Sequence, residues 1–144
     1  MTIETTTIET NAGVTVTLEF LLAGKALFTV ANGKGEHLTF KVNKAKQGDK
    51  YFVSLLTGPQ NTTDYTYMGL WTPGKPVYYG GKTTFTADSR PAKVFAWALK
   101  AVQGLVTVPE GYSIQHEGRC GKCFKVLTDP VSIKTGFGPH CRKD

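Results

Sequence analysis

Three cysteines stand in the last quarter of the chain, at Cys120, Cys123 and Cys141. An odd number of cysteines fits poorly with a set of disulfides and better with thiols that stay reduced. Zinc takes four soft or borderline ligands at tetrahedral angles, and a Cys-x-x-Cys spacing lets two thiolates reach one ion around a tight turn. Gly121 lies inside that spacing and eases the turn. The pattern therefore predicts that the three cysteines bind one zinc ion.

Two histidines could supply the fourth ligand. His116 precedes Cys120 by four residues, and Gly118 between them lets the chain fold back. His140 adjoins Cys141, and adjacent side chains usually diverge. We therefore expect His116 to complete the site and keep His140 as the alternative.

Two other interpretations of the cysteines are a redox pair and inert thiols. A redox pair needs a helix that starts at the first cysteine and lowers its pKa, whereas residues 124–127 have an extended pattern. A closed site with four protein ligands favours a structural zinc over a catalytic zinc, which keeps one position for water. The segment is too short to bury much core, so the metal would supply its folding energy.

The residues between the cysteines predict how the last cysteine returns to the first two. Asp129 can cap a short helix that Pro130 starts and Gly136 ends. Gly138-Pro139 then turns Cys141 back toward the Cys-x-x-Cys turn.

The rest of the chain predicts an antiparallel sheet, because apolar and polar residues alternate in short runs between turn signals. The segment Tyr51–Leu56 is apolar on both faces and predicts a central strand. The predicted strands are Val14–Phe20, Ala26–Val30, His37–Val42, Tyr51–Leu56 and Tyr65–Trp71.

One amphipathic helix follows the strands. Asp88 or Ser89 can cap it, Pro91 lies in its first turn and Gly104 closes it. Its predicted apolar face comprises Val94, Trp97, Ala98, Ala101, Val102 and Leu105. We therefore expect an α+β fold in which this helix packs on the sheet. The predicted units are a flexible arm (1–12), the sheet and helix domain (13–107) and a small zinc-binding module (108–144).

Charge and aromatic residues indicate a nucleic-acid partner. The formal net charge is +6, which attracts polyanions. Tyr65, Tyr67 and Trp71 alternate along one strand and could stack on unpaired bases; burial under the helix is the other explanation for such a row. The basic residues of the predicted interface lie around the cysteines, at Arg119, Lys122, Lys125, Arg142 and Lys143.

Catalysis has little support in the sequence. The glycines at 33, 35, 80 and 81 lack the strand-to-helix context of a phosphate loop, and no Ser-His-Asp set or carboxylate pair stands out. We expect a binding protein, with a host protein such as a polymerase, nuclease or defence factor as the alternative partner. The first residues carry no basic cluster followed by an apolar block, and no apolar run reaches membrane-span length. A cytoplasmic protein without a membrane partner is the expectation.

A resemblance adds context. The segments His116–Cys123, Leu127–Ile133 and Gly136–Cys141 resemble an uncharacterised zinc-ribbon-like family of unknown function that is common in bacteriophage genomes. Residues Tyr51–Pro59 and Tyr65–Gly69 also resemble the upstream part of such phage proteins. The resemblance implies that the three cysteines are metal ligands and that the protein is a phage accessory protein acting in the host cytoplasm. In that family the position before the last cysteine is not fixed, which again favours His116. The resemblance implies no activity.

Overall fold

A five-stranded antiparallel sheet forms the centre of the computed structural model, which describes residues 14–59, 63–80, 83–127, 130–138 and 141. The strands lie side by side in the order β4-β3-β2-β1-β5. The predicted arm, residues 1–12, lies outside the described residues. In chain order the elements are α1 Leu18–Leu22, β1 Lys25–Ala31, β2 His37–Lys44, β3 Tyr51–Leu56, β4 Tyr65–Trp71, α2 Arg90–Val102, β5 Ser113–His116 and α3 Pro130–Thr135.

The four consecutive strands β1 to β4 confirm the sequence prediction, and the α+β class is confirmed with them. β5 comes from beyond residue 107, where the sequence predicts the sheet domain to end. It pairs with β1 through Val30 opposite Ile114 and Thr29 opposite Gln115. The sheet therefore continues past the predicted boundary, and the cysteine segment leaves directly from its edge strand.

The predicted first strand, Val14–Phe20, is wrong in its second half, which forms the helix α1. The Thr17 hydroxyl accepts a hydrogen bond from the Phe20 N–H at 3.1 Å and caps that helix. Phe20 and its neighbour Leu21 are both buried, and two adjacent residues cannot both face one side of a strand. Val14 remains extended and forms a parallel bridge to β5.

The helix α2 lies on one face of the sheet, which we call the inner face. It begins after Ser89 and ends at Val102, and the following Gly104 has φ +77°, as the sequence predicts for these ends. Its main buried side chain is Phe95, which the predicted apolar face omits. Leu105, which that face includes, lies beyond the helix and is 68% exposed.

Phe95 joins the core of three strands. Its ring is 0% exposed. Ring centroids lie 6.3 Å away for Phe28, 5.3 Å for Phe40 and 6.3 Å for Trp71. These rings come from β1, β2 and β4 respectively, so a single helix residue covers the centre of the sheet.

A β-bulge interrupts the alternation in β4. Tyr67 pairs with Ser54, and Gly69 pairs with the adjacent Val53. Met68 is thus an extra residue between two consecutive pairs, and its side chain is fully buried. A bulge of this kind reverses the faces of the residues on its two sides.

The bulge separates the predicted aromatic row. Trp71 lies on the inner face at 3% exposure, in contact with Tyr51 and Phe95. Tyr67 lies on the opposite, outer face. The prediction that Trp71 stacks on bases is therefore wrong, because its ring belongs to the core.

Replacement of Phe95 by alanine tests this description of the core. We expect Phe95→Ala to lower the free energy of unfolding by about 3–5 kcal/mol, because the cavity opens between three aromatic rings. Leu105→Ala, at an exposed position of the same segment, should change it by less than about 0.5 kcal/mol. Urea unfolding followed by circular dichroism measures both, and equal effects would contradict the packing.

Candidate metal centre

The three cysteines of the chain come together in one cluster. The Sγ atoms of Cys120, Cys123 and Cys141 all lie within 4.8 Å of one another. Cys120 is 0% exposed, and the other two are half-buried. The cluster could hold a metal ion, as the sequence predicts for these three residues.

The Cys-x-x-Cys turn directs backbone N–H groups at the first sulfur. The N–H groups of Lys122 and Cys123 donate to the Cys120 Sγ at 3.4 and 3.5 Å, and the Phe124 N–H donates to the Cys120 carbonyl oxygen at 2.9 Å. To close this turn Phe124 takes φ +69°, the one positive value at a non-glycine residue among those described. That conformation costs about 1–2 kcal/mol, so other contacts must hold Phe124 in place.

Arg119 holds Phe124 by two contacts. Its guanidinium carbon lies 4.9 Å from the centre of the Phe124 ring, and its Nη1 donates to the Phe124 carbonyl oxygen at 3.2 Å. Arg119 also forms an antiparallel bridge with Val126. The turn is therefore the tip of a small hairpin, whose residues 124–127 do not form the helix that a redox pair would need.

The return of the last cysteine follows the prediction. The helix α3 starts at Pro130, and Gly136 after it has φ +80°. The Gly136 carbonyl oxygen accepts from the Gly121 N–H at 2.9 Å, and the Cys141 N–H donates to the Gly138 carbonyl oxygen at 3.0 Å. The predicted cap, Asp129, lies outside the described residues.

The ring of Phe20 in α1 packs against Gly121 and Gly136 beside the cysteine cluster. A methyl group on Gly121 would lie 2.7 Å from its Cδ1, and a methyl group on Gly136 would lie 2.6 Å from the same atom. The ring of Phe137 packs against it at 6.1 Å between centroids. The Gly121 carbonyl oxygen also accepts from the Lys25 N–H at 2.8 Å. The turn is thus seated on α1 and β1.

The structure does not bring His116 to the sulfur atoms. Its Nδ1 accepts from the Gly118 N–H at 3.0 Å, and its Nε2 bonds the Ile133 carbonyl oxygen. Its ring lies 5.6 Å from that of Phe20. Because a carbonyl oxygen can only accept, the proton sits on Nε2 and both ring nitrogens are occupied. The other candidate, His140, lies outside the described residues.

The sulfur atoms differ in their affinity for protons. Burial raises the pKa of Cys120, but hydrogen bonds from the backbone N–H groups of Cys123, Gly138 and Lys122 outweigh it and lower the pKa to about 6. The hydrogen bond to the Cys123 sulfur, followed by burial, raises the pKa of Cys141 to about 11. One thiolate therefore forms readily, and its charge hinders the next.

Of the predicted nucleic-acid residues, Tyr65 and Tyr67 lie on the outer face, and Trp71 lies on the inner face. The small hairpin Arg119–Val126, which we call the cysteine hairpin, carries three of the basic ones. The Lys41 Nζ lies 5.1 Å from the ring centre of half-buried Tyr65 and 5.8 Å from that of Phe124. Lys122 and Lys125 are exposed on the hairpin. Arg142 and Lys143 lie outside the described residues.

Two aromatic residues of the outer face are absent from the predicted interface. Phe52 is 46% exposed and Tyr78 is 64% exposed. Phe52 lies between the buried residues Tyr51 and Val53, so strict alternation in β3 would have placed it outside. The apolar run instead predicted a strand buried on both faces.

A cleft of about 620 Å³ opens between α2 and the β1–β2 hairpin. Trp97 and Tyr112 form one wall, with ring centroids 5.8 Å apart. The ion pair of Arg90 with Glu36, at 2.9 Å, lies at its rim. The volume is within the range of small-molecule sites. No local motif marks this cleft, because its walls come from distant parts of the chain.

A match to a known family covers the C-terminal part of the chain. A family of unknown function, DUF6011, matches residues 113–144. The match begins at the first residue of β5 and includes the cysteine cluster. It supports membership of that segment in an uncharacterised domain family. No curated protein and no solved structure matches the chain. Among the described helices, none has the length and hydropathy that a membrane span requires.

Replacement of Gly121 by alanine tests the contact between the cysteine turn and Phe20. We expect Gly121→Ala to destabilise the fold by about 1–3 kcal/mol, because the added carbon overlaps the buried ring. Gly33→Ala is the matched control, since its methyl group would meet its nearest neighbour at an ordinary 3.7 Å. Thermal unfolding compares the two, and a Gly121→Ala protein as stable as Gly33→Ala would contradict the contact.

Proposed function

We propose that this protein binds nucleic acid, and that a structural zinc ion in the sulfur cluster holds the hairpin that completes the binding surface. One observation carries the proposal. The turn that buries Cys120 also places Phe124 and Arg119 on the outer face of the sheet, beside Lys41. Metal binding on one side of the hairpin would thus fix a basic and aromatic group on the other side.

Zinc suits the donor set. Three thiolates favour soft or borderline ions, and zinc accepts them at tetrahedral angles. The buried position of Cys120 and the amide hydrogen bonds to its sulfur are typical of a site that organises structure. A histidine would complete the coordination. His116 would have to give up two hydrogen bonds to do so, whereas His140 is the neighbour of Cys141 in the chain.

Charge supports nucleic acid as the partner. The formal net charge is +6, and Lys41 and Arg119 lie among aromatic rings on the outer face. Glu117 contributes one negative charge there, and its carboxylate accepts a hydrogen bond from the Thr29 hydroxyl. A basic surface of this kind attracts phosphates. By its resemblance to phage proteins, the chain would act as an accessory protein in the host cytoplasm.

Removal of the Lys41 charge tests the nucleic-acid partner. Lys41→Met keeps the aliphatic body, and we expect it to weaken binding to labelled oligonucleotides and to reduce the slope of log affinity against log salt by about one. Lys100→Met is the control, because Lys100 is exposed on α2, the helix that covers the inner face. Fluorescence anisotropy at several salt concentrations measures both.

A flat salt response of the unmodified protein would exclude nucleic acid. In that case the host protein becomes the partner to seek, by pull-down after nuclease treatment.

Histidine variants test the fourth ligand. We expect His116→Gln to keep one zinc per chain, because both ring nitrogens already have partners, and to lower stability by about 1–3 kcal/mol. We expect His140→Gln to weaken zinc affinity by a factor of 10 or more. Elemental analysis and a competing chelator measure both quantities on reduced protein. Loss of zinc from His116→Gln alone would reverse the assignment.

A further inference from the structure

The outer face of the sheet carries a group of aromatic side chains that we call the outer aromatic face. Its members are Phe52, Tyr65, Tyr67, Tyr78 and Phe124. They come from β3, β4, the segment after β4 and the cysteine hairpin. The inner face is covered by α2 through Phe95 and its neighbours, so the sheet does not need these rings for its core.

The rings are placed side by side. Phe52 and Tyr67 meet edge to face, with centroids 6.1 Å apart and planes at 67°. Leu70 pairs with Phe52 across the β3–β4 ladder and forms an antiparallel bridge with Tyr78. Since directly paired residues point to the same side of a sheet, Tyr78 extends the row that starts at Phe52.

The exposure of this row needs an explanation. Phe52 keeps 46% of its surface exposed and Tyr78 keeps 64%. Tyrosine and phenylalanine bury large areas when they serve stability. Neighbouring exposed rings on a sheet rimmed by polar groups are typical of a binding surface.

The charge beside the rings identifies the kind of occupant. Lys41 lies between the rings of Tyr65 and Phe124, at 5.1 and 5.8 Å from their centres. Arg119 stacks on Phe124, with its guanidinium carbon 4.9 Å from the ring centre. A ligand that fits must offer flat apolar faces to the rings and negative charges to these cations. A nucleic-acid strand offers both.

We infer that the outer aromatic face binds single-stranded nucleic acid by stacking unpaired bases on Phe52, Tyr67 and Tyr78, with the backbone phosphates near Lys41 and Arg119. Bases of a duplex are stacked on one another and expose only their edges, so they cannot lie on these rings. The inference rests on the proposed function and specifies its surface and substrate. It also removes Trp71 from the interface and adds Phe52 and Tyr78.

Replacement of aromatic residues by serine, in the full-length protein with bound zinc, tests the inference. The probes are a fluorescent single-stranded oligo(dT) of about 15 nucleotides, which covers one site, and a mixed-sequence duplex of the same length. We expect the unmodified protein to prefer the single strand. Phe52→Ser and Tyr78→Ser should each weaken single-strand binding about 10-fold, with the salt slope unchanged. Duplex binding should not change.

Tyr112→Ser is the matched control. Tyr112 is also exposed, at 40%, but it lines the cleft beside α2, so its removal should leave binding unchanged. Circular dichroism confirms the fold of each variant, and Tyr78→Ser provides the result if Phe52→Ser does not fold.

The outcomes separate the inference from the proposed function. If Lys41→Met weakens binding but both ring variants bind the single strand as the unmodified protein does, nucleic-acid binding stands and the outer aromatic face is overturned. Preference for the duplex overturns it as well. If neither probe binds at any salt concentration, both proposals fail, and a protein partner for the same rings becomes the competing explanation.

Discussion

Three sulfur atoms within 4.8 Å of one another cannot all carry negative charge unless a cation lies among them. The backbone N–H groups around Cys120 stabilise one thiolate and lower its pKa to about 6, while the Cys123 sulfur helps to raise the pKa of Cys141 to about 11. A divalent ion reverses this competition, because it attracts every thiolate at once. A divalent ion bound by the three cysteines would therefore stabilise the C-terminal segment.

The cysteine turn is connected to the sheet by close contacts. The turn at Gly121 rests on Phe20, and its carbonyl oxygen is tied to the first residue of β1. His116 links β5 to α3 by the hydrogen bond from its Nε2 to the Ile133 carbonyl oxygen. On the opposite side, the same turn forces Phe124 into a positive φ and toward Lys41. The cysteine cluster and an aromatic, basic surface thus lie on two sides of one hairpin.

The sequence predicts those features that depend on local pattern, and it misses those that depend on distant packing. Turn residues and alternation locate β1 to β4, and a proline at the start and a glycine after the end locate α2 and α3. Ligand spacing finds the three cysteines. The short helix around Phe20 is missed because its burial depends on glycines a hundred residues later, and the bulge at Met68 is missed because alternation carries no sign of an inserted residue. For the same reason the sequence predicts the wrong face for Trp71. No local pattern indicates that the His116 ring bonds Gly118 and Ile133.

Amide hydrogen exchange of reduced protein, with zinc and after its removal by a chelator, measures how strongly the hairpin depends on the metal. We expect removal to abolish protection at Cys123, Phe124 and Leu127, whose N–H groups hold the hairpin together, while β2 and β3 stay protected. Unchanged protection of the hairpin in protein shown to contain no metal would contradict this expectation.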